Sequence, residues 1–335
     1  MSNMICFLRA TLLAVILVTG SSWGFLVHQT VGQLSIYELP REMRPFFYKN
    51  MDYLLKEIIQ PDIRRNKDSL EAPRHFIDLE RYGDSAAWKM PLHWTDALRA
   101  YGRDSLVKYG YVPYQVLMTK DLLTKAFRSG NKDSILFYAA DLGHYIGDAH
   151  VPLHTTINYD GQLSGQKGIH NLWETTIPEL EISHYRLYSG HTARYLGNPA
   201  MAIWEAIRHA HGLLPDLLAQ EREASRGFTD STKYSVQKRN GREFKMYSAA
   251  FALNYNQRLG NTIQEQLRHS ANLIADFWYT CWKDAGEPDL DPLLGGDWSK
   301  KEKKALKQER RVYRQDDLWQ KNLLWTVQHR NPPAR

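Results

Sequence analysis

Cysteine is almost missing from this 335-residue chain, with Cys6 and Cys281 the only two. Cys6 falls in an N-terminal segment that reads as removable and is not placed like a lipidation cysteine. Cys281 is then left alone, which excludes an intrachain disulfide. No Asn-x-Ser/Thr sequon occurs, so N-glycosylation is not expected. Strand signals are scarce and internal repeats are absent. Charge of one sign is only mildly in excess: the formal charge of +6 leans towards an anionic substrate without identifying one. An exported chain without disulfides must draw its stability from a large core or from bound metal.

Hydrophobic residues make up 43% and charged residues 24%, the balance of an ordinary globular protein. Ten Trp and nineteen Tyr are many for this length; they can fill a core or form a lipid- or base-binding surface. Residues 1–22 read as a secretory signal, with Arg9 in a short basic region. The apolar run Ala10 to Thr19 is too short to span a bilayer comfortably, and Gly20-Ser21-Ser22 are small residues at a cleavage point. The expected mature chain begins at Trp23 and is secreted or periplasmic.

Apolar periodicity near 3.6 recurs through much of the chain. It predicts helices over Val27 to Ser35, Arg44 to Glu57, Pro113 to Ser129, Asp133 to Ala149 and His170 to Thr175. Further helices are predicted over Pro199 to Leu218 and Ala249 to Asp284. Asn131 offers an N-cap and Pro152 a stop for the helix that carries His144. Asn158 to Lys167 reads as a loop. After Asp284, Gly286, Pro288, Pro292, Gly295 and Gly296 break the pattern, and a basic run follows over Lys300 to Arg314. The expected fold class is all-α, a multi-helix bundle. The expected organisation is a signal over 1–22, one domain over 23–290 and a basic C-terminal extension over 291–335. That extension reads as a solvated helix docked by its aromatic edge, or as a basic tail meeting nucleic acid or an anionic membrane.

Two short stretches carry most of the chemical information. His144 and Asp148 stand four residues apart, and so do His170 and Glu174, with His154 between the pairs. On a helix, four residues is just over one turn, so both side chains of a pair leave the same face. Imidazole plus carboxylate is a ligand set that suits zinc in a hydrolytic site. One such pair is more often a simple hydrogen bond; two pairs in one region point to more than one metal. Upstream stand Trp23 and His28, then Asp62 with Arg65 three residues on, then His75-Phe76-Ile77-Asp78. A neutral α-amine at Trp23, with its carbonyl, would chelate zinc well.

Taken in order, these elements resemble the trinuclear-zinc phosphodiesterases, the superfamily of the S1/P1-type nucleases and the bacterial zinc-dependent phospholipases C. The resemblance runs from Trp23 to Glu174 and implies a phospholipase C/P1 nuclease-like bundle with three zinc ions. It implies that Asp62, His75, His144 and Asp148 hold one ion. Asp148 would bridge to a second, completed by Trp23 and His28, and His154, His170 and Glu174 would hold the third. It implies in-line attack on phosphorus by a metal-bound hydroxide, with Asp62 orienting the water and Arg65 stabilising the phosphoryl group. Phe76 would stack a base and Asp78 would bond its edge, although the same four-residue motif also occurs in the phospholipase branch.

Within the resemblance, the Trp-Gly-x3-His spacing and Arg65 lean towards nuclease. So do Leu26 and Ile63, which stand where the phospholipase branch has residues linked to choline binding. Glu174 leans the other way. The expected function is therefore an exported zinc-dependent phosphodiester hydrolase, an S1/P1-type nuclease that cleaves single-stranded nucleic acid to 5′-phosphate products and acts as a monomer. The alternatives are a zinc-dependent phospholipase C with a phospholipid substrate, and a non-catalytic metal-stabilised binding protein. His150 is expected to point away from the Asp148 face. His209 and His269, each four residues after a Glu, are expected to make structural hydrogen bonds.

Overall fold

The computed structural model describes residues 24–239 and 242–329, so the expected signal segment and Trp23 lie outside the described residues. The fold is all-α, a multi-helix bundle, with a single two-stranded hairpin among the described residues. No helix among these residues is long and apolar enough to cross a membrane.

The central helix, Lys132–Ala149, positions the site. Its Asn131 cap accepts a hydrogen bond from the Ser134 amide at 2.8 Å, satisfying one orphan donor of the first turn. Its second half is buried on every side, from Ala139 to Ala149. Pro152, three residues past its end, starts a separate short 3₁₀ turn over Pro152–Thr155.

The N-terminal helix Phe25–Glu38, the helix Val112–Ser129 and the long helix Thr262–Asp284 pack around the central one. Two glycines set how closely. A Cβ on Gly32 would lie 2.8 Å from both Ile58 Cδ1 and Leu55 Cδ2, and one on Gly143 would lie 3.1 Å from the same Ile58 methyl. The missing side chains let the first and central helices close around Ile58. Trp278 of the long helix donates its indole N–H to the Ala139 carbonyl at 3.0 Å and stacks on Phe47 at 4.9 Å. Trp173, Trp204 and Trp278 are all essentially buried, each worth about 1.5–3 kcal/mol or more of transfer free energy.

Three predicted helices divide. Arg44 to Glu57 breaks at Asn50 into Arg44–Lys49 and Met51–Glu57. Pro199 to Leu218 breaks at Leu213 because Pro215 opens a new first turn, giving Pro199–Gly212 and Leu214–Ser225. Ala249 to Asp284 breaks at Gly260, giving Ala249–Leu259 and Thr262–Asp284. The hairpin, unforeseen from the sequence, pairs Tyr234–Arg239 with Arg242–Tyr247 in antiparallel register, Tyr234 opposite Tyr247.

The basic run forms the helix Lys300–Arg314, capped by a reciprocal Ser299–Glu302 box. It docks through buried Leu306, Val312 and Tyr313. Glu309 accepts hydrogen bonds from the Tyr37 and Tyr48 hydroxyls at 2.9 and 2.6 Å. The chain then returns to the N-terminal helix, where Gln33 bonds the Leu323 carbonyl and the Trp325 amide at 2.8 Å each.

Candidate metal centre

His144 and Asp148 leave one face of the central helix, as their spacing predicts, and both are fully buried. His144 Nδ1 lies 2.8 Å from the Ile58 carbonyl. A carbonyl only accepts, so Nδ1 carries the hydrogen and the lone pair sits on Nε2. That lone pair faces Asp148 Oδ2 at 3.2 Å, Asp62 Oδ1 at 3.8 Å and His75 Nδ1 at 3.1 Å. Acceptors gathered without a donor repel one another unless a proton or cation lies among them. Tight closure of two helices around Ile58 thus becomes a choice of tautomer, and the tautomer leaves Nε2 able to accept a proton or a cation.

The remaining predicted ligands converge on the same place. His75 Nδ1 is 2.9 Å from Asp148 Oδ2 and 3.7 Å from Asp62 Oδ1. The His28 ring stacks on His144 at 4.0 Å, with Nε2 3.6 Å from Asp148 Oδ1. The turn after Pro152 swings His154 back, so that Nδ1 faces Asp148 Oδ1 at 3.4 Å and Nε2 faces Glu174 Oε1 at 3.1 Å. His170 Nε2 is 2.7 Å from the same Glu174 oxygen. Glu174 itself lies in a π-helical turn, Leu172–Thr176, which widens the backbone where its carboxylate must reach inward. Trp23 is outside the described residues. Its neighbour Gly24 packs against this same turn, and a Cβ there would lie 2.9 Å from Thr175 Oγ1.

Three sets of potential ligand atoms result: His28, His144 and Asp148; Asp62, His75 and His144; and His154, His170 and Glu174. Within each set the atoms lie within 4.8 Å of one another. Both oxygens of Asp62, both of Glu174 and Oδ1 of Asp148 are buried with no hydrogen bond of normal geometry among the described residues. Buried acceptors in this number are costly unless a cation satisfies them. The donor set therefore fits divalent metal.

The electrostatics agree. Burial would raise the Asp148 carboxyl, but His144 and His154 hold it well below the usual range, and His170 and His154 likewise pull Glu174 down against its burial. Burial acts against charge on His75, yet its hydrogen bonds to Asp148 and Glu71 lift it to about 9. His28 is pushed far down by burial and by His144, so it is neutral, the form that ligates.

Arg65, Phe76, Asp78, Tyr159, Asp160 and Asn171 line a cavity of about 500 Å³ that reaches His75, His154 and His170. Arg65 Nη1 lies 3.6 Å from Asp62 Oδ1. The Phe76–Asp78 stretch is pinned by backbone bonds: Ile77 N–H donates to the His154 carbonyl and Asp78 N–H to the Tyr109 carbonyl, each at 2.8 Å. Burial and then the Glu80 charge push the Asp78 carboxyl up to about 6.

Glu71 is a buried site residue that sequence reasoning missed. It faces His75 Nε2 at 3.6 Å, accepts from the Tyr145 hydroxyl and pairs with Arg74 at 2.8 Å. A carboxylate behind a ligand imidazole fixes its ring and tautomer. The Glu71-to-His75 spacing is again four residues, but it falls on a 3₁₀ turn where helical periodicity does not apply. Tyr159 and Asn171 were also missed, and no sequence signal marked them.

The other histidines mostly find ordinary partners. His150 points away, bonding the Ile146 carbonyl at 2.8 Å. His191 meets Asp276 at 2.8 Å and His211 meets Thr155 at 3.1 Å. His209 and His269 face each other, ring centroids 5.6 Å apart.

No protein-family profile and no curated protein matches the chain. Among solved structures it is similar to the alpha toxin of Clostridium absonum, at 16% identity and a TM-score of 0.46. It is similar also to the alpha-toxin of an avian strain of Clostridium perfringens, at 16% identity and a TM-score of 0.47. Each alignment covers 81% of this chain, and the chain spans 65% of the length of either toxin, a little under two thirds.

Proposed function

We propose that the protein is an exported, zinc-dependent phosphodiester hydrolase. The observation that carries this reading is the convergence of His28, Asp62, His75, His144, Asp148, His154, His170 and Glu174, with orphaned carboxylate oxygens, at the floor of an open cavity. Bound zinc supplies Lewis acidity there, making water acidic near neutral pH and offsetting charge on phosphoryl oxygens.

The chain's own residues supply positioning. Asp62 orients the attacking water and takes its proton. Arg65 is held beside Asp62 on the cavity wall and offers a planar fork to a phosphoryl oxygen as charge builds. The bond from water oxygen to phosphorus forms as the bond to the leaving oxygen breaks, and a proton passes to that oxygen. No side chain is covalently modified. Glu71 and the Ile58 carbonyl hold His75 and His144 in register.

Single-stranded nucleic acid is the favoured substrate. Phe76 and Tyr159 present aromatic surface to the cavity and Asp78 an acceptor beside it, which suits a stacked base with an exocyclic amine. A lipid headgroup phosphodiester is the second reading, favoured by the Glu at position 174. The test is to load the purified protein with zinc, measure metal per chain, and offer single-stranded DNA, RNA and phosphatidylcholine in parallel, with and without chelator. Chelator-sensitive release of 5′-phosphate products is expected. Diacylglycerol release without nucleolysis moves the assignment to phospholipase C. Full metal loading with no turnover of any phosphodiester, bis(4-nitrophenyl) phosphate included, leaves a metal-stabilised binding protein and overturns catalysis.

A further inference from the structure

One face of the basic helix Lys300–Arg314 lines a second, open cavity of about 590 Å³, separate from the metal centre. Six cations line it: Arg44, Lys303, Lys307, Arg310, Arg311 and Arg314. Among the described residues, no acidic side chain lines it. Trp298 and Leu306 supply an apolar wall, and Trp298 is braced edge-on against Tyr48 at 6.0 Å.

The nearby carboxylates are engaged elsewhere. Glu309 is taken by the Tyr37 and Tyr48 hydroxyls, Glu302 by the Ser299 cap, and Glu42 by Arg41 at 3.0 Å. Arg44 is only 9% exposed, bonds the Leu39 carbonyl through Nη2, and leaves a buried Nε with no hydrogen-bond partner among the described residues. Arg310 is likewise held by a backbone carbonyl, that of Tyr37 at 3.3 Å. Backbone dipoles anchor these guanidiniums but do not neutralise them. Burial first, and then the neighbouring Arg310 and Arg314 charges, lower Arg44 to about 10.

We propose that this cavity binds a phosphate ester, its phosphoryl group held by the guanidiniums of Arg44, Arg310 and Arg314 and its apolar part lying on Trp298 and Leu306. Guanidinium forks match phosphoryl oxygens in geometry and charge. The cavity is far larger than a bare phosphate, and its uncharged lining is Trp298 and Leu306 with the one amide of Gln315, so the group arrives attached to a carbon skeleton. A soluble phosphate ester and the headgroup of a phosphatidic acid share this chemistry.

The test titrates inorganic phosphate into the zinc-loaded full chain by calorimetry. Arg310→Gln/Arg314→Gln is compared with Lys300→Gln/Lys304→Gln, which removes the same charge from the same helix off the cavity. Phosphate inhibition of phosphodiester turnover reports the metal centre separately and is expected to be unchanged in both variants. Phosphate binding outside the metal centre is expected to weaken at least about thirtyfold in the arginine pair, as loss of two charge-assisted contacts predicts, and less than about threefold in the lysine pair. Vesicles containing phosphatidic acid decide the source: competition with phosphate assigns a headgroup, and its lack assigns a soluble ester. Wild type with no such binding, an arginine pair that binds as wild type does, or equal losses in both variants each overturns the proposal.

Discussion

His144→Ala tests how the centre is built, because the imidazole has two separable tasks. One is structural. The ring is fully buried, and its Nδ1–H satisfies the Ile58 carbonyl at 2.8 Å. Removing it leaves a void and an orphaned acceptor, which costs about 2–5 kcal/mol whether or not metal is present. The other, on the proposed reading, is ligation through Nε2. An ion bound at a thousandfold excess over its Kd adds about 4 kcal/mol of stability. At about 2.1 cal/mol/K per residue of unfolding entropy, a folded body of this size shifts about 1.5 °C per kcal/mol. Wild type is therefore expected to melt about 6 °C or more higher in zinc than in chelator. In chelator, the variant is expected to melt about 3–8 °C below wild type. In zinc the gap is expected to widen, because the ions that share His144 no longer bind. Scanning calorimetry of both proteins in both media gives all four values. An equal zinc increment in wild type and variant would refute the reasoning: His144 would then be a packed core residue and the lone pair on Nε2 an accident of the fold.

The remaining predictions address neighbouring parts of the site. Gly24→Ala is expected to cost about 1–3 kcal/mol by pressing a methyl on Thr175 and to lower zinc content; adding Thr175→Ala is expected to recover part of the loss, and strict additivity of the two in denaturant melts would contradict the contact. In a chain produced to begin at Trp23, adding one residue before it is expected to lower zinc per chain and turnover, and unchanged values would rule out the terminal amine as a ligand. Asp78 gains its charge only above about pH 6, so KM for single-stranded DNA is expected to fall as pH rises through that value. In Asp78→Asn that dependence is expected to flatten, and an identical KM profile would remove Asp78 from substrate binding. Glu71→Gln is expected to reduce kcat and zinc affinity about 10–100-fold while the protein stays folded; wild-type zinc affinity and kcat in that variant would reduce Glu71 to a structural role.

What the sequence revealed of this site depended on whether a relation was local. His144 with Asp148, and His170 with Glu174, are separated by one helical turn, and periodicity alone places each pair on one face. Asp62 and His75 obey no such rule. They lie on a short helix and just after a 3₁₀ turn, and only the ordered resemblance singled them out. The three divided helices failed for a related reason. Apolar periodicity runs on across all three breaks; Pro215 and Gly260 mark two of the new axes, and the break at Asn50 carries neither proline nor glycine.

The groups that tune the site were least legible, because they come from distant chain and, in one case, from the backbone. The Ile58 carbonyl chooses the His144 tautomer across 86 positions of sequence, and it can do so only because Gly32 and Gly143 admit the Ile58 side chain between two helices. A glycine inside a helix costs about 0.5–1 kcal/mol relative to alanine and reads from sequence as a weakness. Here the two glycines fix which nitrogen of a buried imidazole remains free. It follows that Gly143→Ala, next to His144 in sequence but with its added methyl facing Ile58, should act on metal binding through the displacement of Ile58. Its Cβ would sit 3.1 Å from the Ile58 methyl, close enough to force a shift of a few tenths of an ångström. A variant that kept its zinc affinity while losing stability would show that the tautomer tolerates such a shift, and that the close helix packing serves the core alone.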